Sequence, residues 1–120
     1  MGTSRSRDAT RPGWAAGVLL FSGRPNPIWC IDEALGRKLW SIWTRATPAD
    51  DFLPPSRLGY QGAFVRRPGG ERVLAFDGFA WREGDRREVR LDPGRHLERL
   101  VVCSAPHGAL PPGVRELVTR

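Results

Sequence analysis

Proline and glycine account for 11 and 14 of the 120 residues, and their placement limits what this chain can build. Each proline fixes its own φ, lacks a backbone donor and pushes its predecessor out of the helical region. The chain is therefore divided into short elements joined by stiff turns. At about a fifth of the residues, the two types stop just short of low-complexity composition. With 40% hydrophobic and 27% charged residues, the rest reads as one ordinary globular domain. A chain of this length buries enough surface to need neither disulfide nor metal. No apolar run approaches the roughly 20 residues of a membrane span.

Between these breaks the periodicity is legible. Trp14–Phe21 is a short apolar run of the length of a buried strand. Basic residues before it imitate a secretory signal, but Ser22-Gly23-Arg24-Pro25 stands where a cleavage site would be, so a cytoplasmic location is expected. Residues 1–12 read as a polar, disordered leader, and 13–120 as a single α+β domain. Asp32 is a competent N-cap, and Leu35, Leu39, Ile42 and Trp43 form one helical stripe that ends before Pro48. Gly36 costs that helix about 1 kcal/mol relative to alanine. Leu58, Tyr60, Gly62 and Phe64 alternate with Gly59, Gln61, Ala63 and Val65, as in a half-buried strand.

Arg67-Pro68-Gly69-Gly70 then turns the chain into a strand over 72–82, where Asp77-Gly78 is a bulge or a tight turn. A charged strand over Arg87–Leu91 suits a sheet edge. Asp92-Pro93 is a strong helix start, since Asp caps and Pro is favoured at the first helical position. Leu97, Leu100 and Val101 supply the stripe, Pro106 limits it, and Pro111-Pro112 precede a short last helix. The expected fold is α+β: an antiparallel sheet of about four strands with two main helices packed on one face.

The formal charge is +6, and 18 of the 19 basic residues are arginine, Lys38 being the lone lysine. Two units of that charge belong to the leader, and the remaining arginines are interleaved with acids, which is the pattern of a solvated face. Five Trp, five Phe and one Tyr could stack on bases, so an Arg/aromatic nucleic-acid surface is a real alternative. Trp40, Trp43, Phe64 and Phe76, however, fall at positions expected to be core.

Catalytic motifs are sparse. There is no P-loop, no G-x-G-x-x-G and no G-x-S-x-G. Cys30, Cys103, His96 and His107 lack zinc-ligand spacing, and no cofactor is expected. Two readings of Cys30 and Cys103 stay open: small buried hydrophobes, or a disulfide, since each borders an apolar segment. An enzyme would have to use Cys103 or Asp77, the latter more readily a turn residue.

The loop Phe21-Ser22-Gly23-Arg24-Pro25-Asn26-Pro27 is the feature least explained by folding alone. Arg24 and Asn26 on a proline-stiffened loop are candidate binding residues for a carboxylate or phosphate; the alternative is that they satisfy local backbone groups. The stretch Phe-Ser-Gly-Arg-Pro-Asn-Pro-x-Trp, with Leu-Gly-Tyr-x-Gly at 58–62 and Asp-Pro-Gly-Arg-x-Leu-Glu-Arg at 92–99, resembles a family of small uncharacterised bacterial proteins. That resemblance implies a bacterial origin and one compact domain, and brings no functional residues. The expectation for function is a small non-catalytic binding or interaction protein, with another protein or an acidic ligand as partner.

Overall fold

The computed structural model describes residues 13–21, 25–50 and 59–119; the leader and Arg24 lie outside the described residues. Among the described residues, six strands form one antiparallel sheet: β1 (Ala15–Phe21), β2 (Ile28–Cys30), β3 (Gly59–Arg66), β4 (Arg72–Phe76), β5 (Phe79–Arg82) and β6 (Asp85–Leu91). Their spatial order is β2-β1-β3-β4-β5-β6. Helix α1 (Glu33–Arg45) separates β2 from β3, and α2 (His96–Cys103) and α3 (Val114–Thr119) follow the sheet. The expected α+β class holds, with six strands in place of about four. The added strands come from β2, three residues long, and from the division of 72–82 at a tight turn.

That turn is Asp77-Gly78. Phe76 pairs with Phe79, and both turn residues have positive φ, 51° and 95°, as a two-residue hairpin of right-handed twist requires. All three helices share one face of the sheet. Leu39 and Trp43 of α1, Leu97, Val101 and Val102 of α2, and Val118 of α3 pack on Ala16, Val18, Ala63, Val65, Val73, Ala75 and Ala80. Small residues on the strands let the helices approach, and the larger side chains come from the helices. The opposite face carries its own smaller cluster of Phe64, Leu74 and Trp81.

Phe64 and Tyr60 were expected on one face, and the structure separates them. Leu19 pairs with Gly62 but Leu20 with Tyr60, so Gln61 is an extra residue in β3. Gly62 takes φ 129° at this bulge and has Ala75 O 2.8 Å from where a Cβ would stand, so only glycine fits. The bulge turns Tyr60 onto the helix face, where it packs beside the main core.

Helix α1 starts as its sequence predicts, with Asp32 accepting from Leu35 N at 2.8 Å. Gly36, a weak helix former, has a packing reason. A Cβ there would stand 2.2 Å from Trp14 Cδ2, because the indole lies directly on the helix backbone.

The second helix starts differently from expectation. Pro93–Arg95 make only a single 3₁₀ turn, and Gly94 and Arg95 then take left-handed φ values of 64° and 57°. Helix α2 proper begins at His96. Asp92 still caps it, from a distance: its two oxygens accept from Leu97 N at 2.8 Å and Glu98 N at 3.1 Å. These are orphan first-turn donors, reached because the left-handed pair folds the chain back on itself.

The edge at β6 is closed. Thr47–Ala49 pair with it through Ala49 N to Val89 O at 2.8 Å and Leu91 N to Thr47 O at 2.7 Å, with Pro48 opposite Arg90. Arg90 then reaches back over the Trp43 ring, 4.1 Å from its centre, and donates to Trp43 O at 2.7 Å. That contact satisfies a carbonyl near the end of α1 with a cation, as the helix dipole favours. No helix among the described residues is long and apolar enough to cross a membrane.

Candidate functional site

Among the described residues, two of the places that bring polar and charged side chains together stand out. The first lies where the β4–β5 turn meets α2. Glu98 is only 1% exposed, and its carboxyl accepts from the Tyr60 hydroxyl and, at 2.9 Å, from Asp77 N. Arg95 bridges the same corner, donating to Asp77 Oδ1 at 2.6 Å and to Leu117 O at 3.1 Å. Asp92, 2% exposed, lies one cap away. These groups surround a small cavity of about 90 Å³ lined by Tyr60, Phe76, Asp77, Arg95, Glu98 and Leu117.

Burial dominates the electrostatics here. Desolvation pushes the Glu98 carboxyl above the usual carboxylate range, against the bonds from Tyr60 and Asp77 that favour its charge. Asp92 is raised by the same cause, against its two helix N–H bonds. Tyr60 is pushed well up by burial and then by the neighbouring Glu98 charge, so its phenol keeps its proton. The Asp77 hydrogen bond raises Arg95, which stays a cation. Asp77 and Arg95 are also the two non-glycine residues with positive φ among those described, so the ion pair joins the two least favourable backbone positions. Each oxygen of Glu98 and Asp92 is already engaged. The cluster is a latch that fastens the hairpin turn, α2 and α3 together.

The second place is an open groove beside α1. Trp14 and Trp40 meet edge to face, with ring centres 6.2 Å apart and planes at 67°. The Arg67 guanidinium lies over the Trp40 ring at 4.7 Å. With Arg37, Glu33 and Thr44 these side chains line about 570 Å³ of open space. Three separate parts of the chain supply the walls: the residues leading into β1, the outer face of α1, and the β3–β4 turn. Arg37 is paired with Glu33 at 2.6 Å, with side chains 72% and 64% exposed, and Arg67 is paired with Glu71.

The residues singled out from sequence fare unevenly. Asn26 spends its side-chain oxygen on Leu20 N at 2.7 Å, closing the loop onto the end of β1. Its partner in the expectation, Arg24, lies outside the described residues. Cys30 and Cys103, expected near the core or paired, are free and exposed. For Cys30 the reason is strand alternation. Trp29 takes the helix-facing position, where its Nε1 donates to Ser104 Oγ at 2.9 Å, so Cys30 beside it points to the other face. Asp77 does reach a cavity, but Cys103 is absent from its lining, so the two are not brought together. Among the described residues no cluster of three His, Cys, Asp or Glu is placed to hold a metal.

Glu98, Tyr60 and Arg95 carry no catalytic or ligand-binding assignment from sequence. One signal was present: Glu98, Val101 and Val102 share the spacing of a buried helical stripe, and all three are buried with Leu97. Trp40, expected in the core, instead stands half-buried at the groove wall. Comparison with family models, with curated proteins and with solved structures returned no match, so the chain's geometry carries the functional reading alone.

Proposed function

We propose that this chain is a small non-catalytic binding protein whose groove beside α1 takes an acidic segment of another protein. The observation that carries the reading is the Arg67 guanidinium lying over the Trp40 ring on the wall of an open, three-sided groove. The indole beneath the Arg67 guanidinium holds it in place, which reduces the entropy lost on binding, and a partner carboxylate competes there with the partly exposed Glu71. The existing Arg37–Glu33 pair is solvent-exposed and contributes little, so a partner carboxylate can take its place at small cost. Support for a non-catalytic role comes from the acid cluster, whose carboxylate oxygens are consumed by Tyr60, Asp77 and the first turn of α2.

The test is a tryptophan-fluorescence titration with a Glu-rich peptide, against a Lys-rich peptide of equal length. Saturable binding of the first alone is expected, weakened about tenfold in the double variant Arg37→Ala/Arg67→Ala, or about 1.4 kcal/mol. Equal binding of both peptides, or no effect of the double variant, would overturn the assignment. Binding of a single-stranded oligonucleotide in preference to either peptide would transfer the groove to nucleic acid.

A further inference from the structure

The two edges of the sheet are treated differently. Thr47–Ala49 cover β6, while β2 has no strand beside it among the described residues. The direction of its backbone groups follows from the pairing with β1. Pro27 O accepts from Val18 N, Trp29 lies opposite Ala16, and Ile31 N donates to Trp14 O. In an antiparallel ladder these alternate positions face the partner strand, so the N–H and C=O of Ile28 and Cys30 face outward. Pro27 sits at an inward position, so its missing donor leaves the outer edge intact.

The side chains along this line are apolar from one edge to the other. Ile28 pairs with Gly17, Gly17 with Phe64, Phe64 with Leu74, Leu74 with Trp81, and Trp81 with Val89. Cross-strand partners share a face, so this single row crosses all six strands on the side away from the helices. Gly17 lets the row close: Phe64 Cζ lies 2.5 Å from where a Gly17 Cβ would stand, so the ring covers the glycine. At the β6 end Val89 is half-buried, and at the open end Ile28 is 39% exposed.

We infer that β2 is a strand-addition site for a second copy of this chain, joined antiparallel about a two-fold axis at Ile28. An edge whose central residue faces outward is its own complement: Ile28 of each copy exchanges both backbone bonds with the other, and Cys30 faces Asn26. The apolar row then runs unbroken through twelve strands, twice the six observed. Both Ile28 side chains leave water, and an exposed edge is removed from each monomer. With β2 only three residues long, the buried area falls below that of a standard interface, so a weak dimer is expected, with Kd on the order of 10⁻⁴ M.

Sedimentation equilibrium of the full chain from about 10 µM to about 1 mM tests this, since that range brackets the expected Kd. The wild-type mass should rise from monomer toward dimer. Ile28→Pro removes an outward N–H without touching a bond to β1, and should abolish dimerisation with an unchanged far-ultraviolet spectrum. Ile28→Lys keeps the backbone but sets two charges opposite each other, and should shift association at least tenfold even if the proline variant misfolds. A wild-type chain that stays monomeric at the top concentration overturns the inference. So does a dimer that Ile28→Lys leaves unchanged.

Discussion

Replacing Gly36 with alanine sets two effects of opposite sign against each other. In a helix interior that change ordinarily stabilises by about 1 kcal/mol, because alanine restricts the unfolded chain and favours the helix. Here the new methyl would lie 2.2, 2.4 and 2.5 Å from Trp14 Cδ2, Cε3 and Cγ. Normal carbon contact is about 3.5–4.0 Å, so the indole must retreat by more than an ångström. Cγ is among the atoms struck, so rotating the far end of the ring cannot relieve the overlap. Trp14 is also tied by its edge contact to Trp40 and by its carbonyl to Ile31 N. Overpacking of this kind costs about 3 kcal/mol, leaving a net loss of about 2 kcal/mol after the helical gain. Urea unfolding followed by tryptophan fluorescence would show it as a lower midpoint at constant slope. The decisive comparison is in a Trp14→Ala background. There the obstacle is gone, and Gly36→Ala should stabilise by about 1 kcal/mol. A Gly36→Ala chain as stable as wild type, or the same sign in both backgrounds, would refute the packing account.

Asp92→Ala should cost about 2 kcal/mol in urea unfolding, because Leu97 N and Glu98 N lose their acceptor in a buried helix start, while Asp92→Asn should recover part of that loss. Stability should fall as pH rises from the ordinary carboxylate range toward neutrality. Glu98 and Asp92 both have folded pKa values raised by burial, so their contribution is fully present below their unfolded values and lost as pH passes through the folded ones. Glu83 is lowered by its hydrogen bond from Arg72 and acts oppositely, losing its contribution at more acid pH. Glu98→Gln should flatten the fall, as read by thermal unfolding from about pH 4 to pH 8; an unchanged slope would show that Glu98 does not titrate there. With the groove titration and the Ile28 variants, these measurements separate a stabilising latch from a binding surface.

What sequence determined about this protein was local. Asp32 capping α1, the alternation of the strands, and Asp77-Gly78 as a turn follow from backbone preference and side-chain period, which act over a few residues. The helix-on-sheet class follows from the order of those periods. Tertiary structure decided the rest, because it depends on residues far apart in the chain. The bulge at Gln61 turns Tyr60 onto the helix face, where it meets Glu98 on α2 thirty-eight positions later. The same packing explains a glycine that propensity counts only as a defect, since Gly36 is the seat of Trp14. Asp92 and Pro93 announce a helix, yet the left-handed pair at Gly94 and Arg95 delays it to His96 and directs Arg95 to Asp77. The groove draws Trp14, Trp40 and Arg67 from three segments, and no window of sequence contains them all. Proline and glycine set where the chain turns; which side chains meet after the turns is settled by packing.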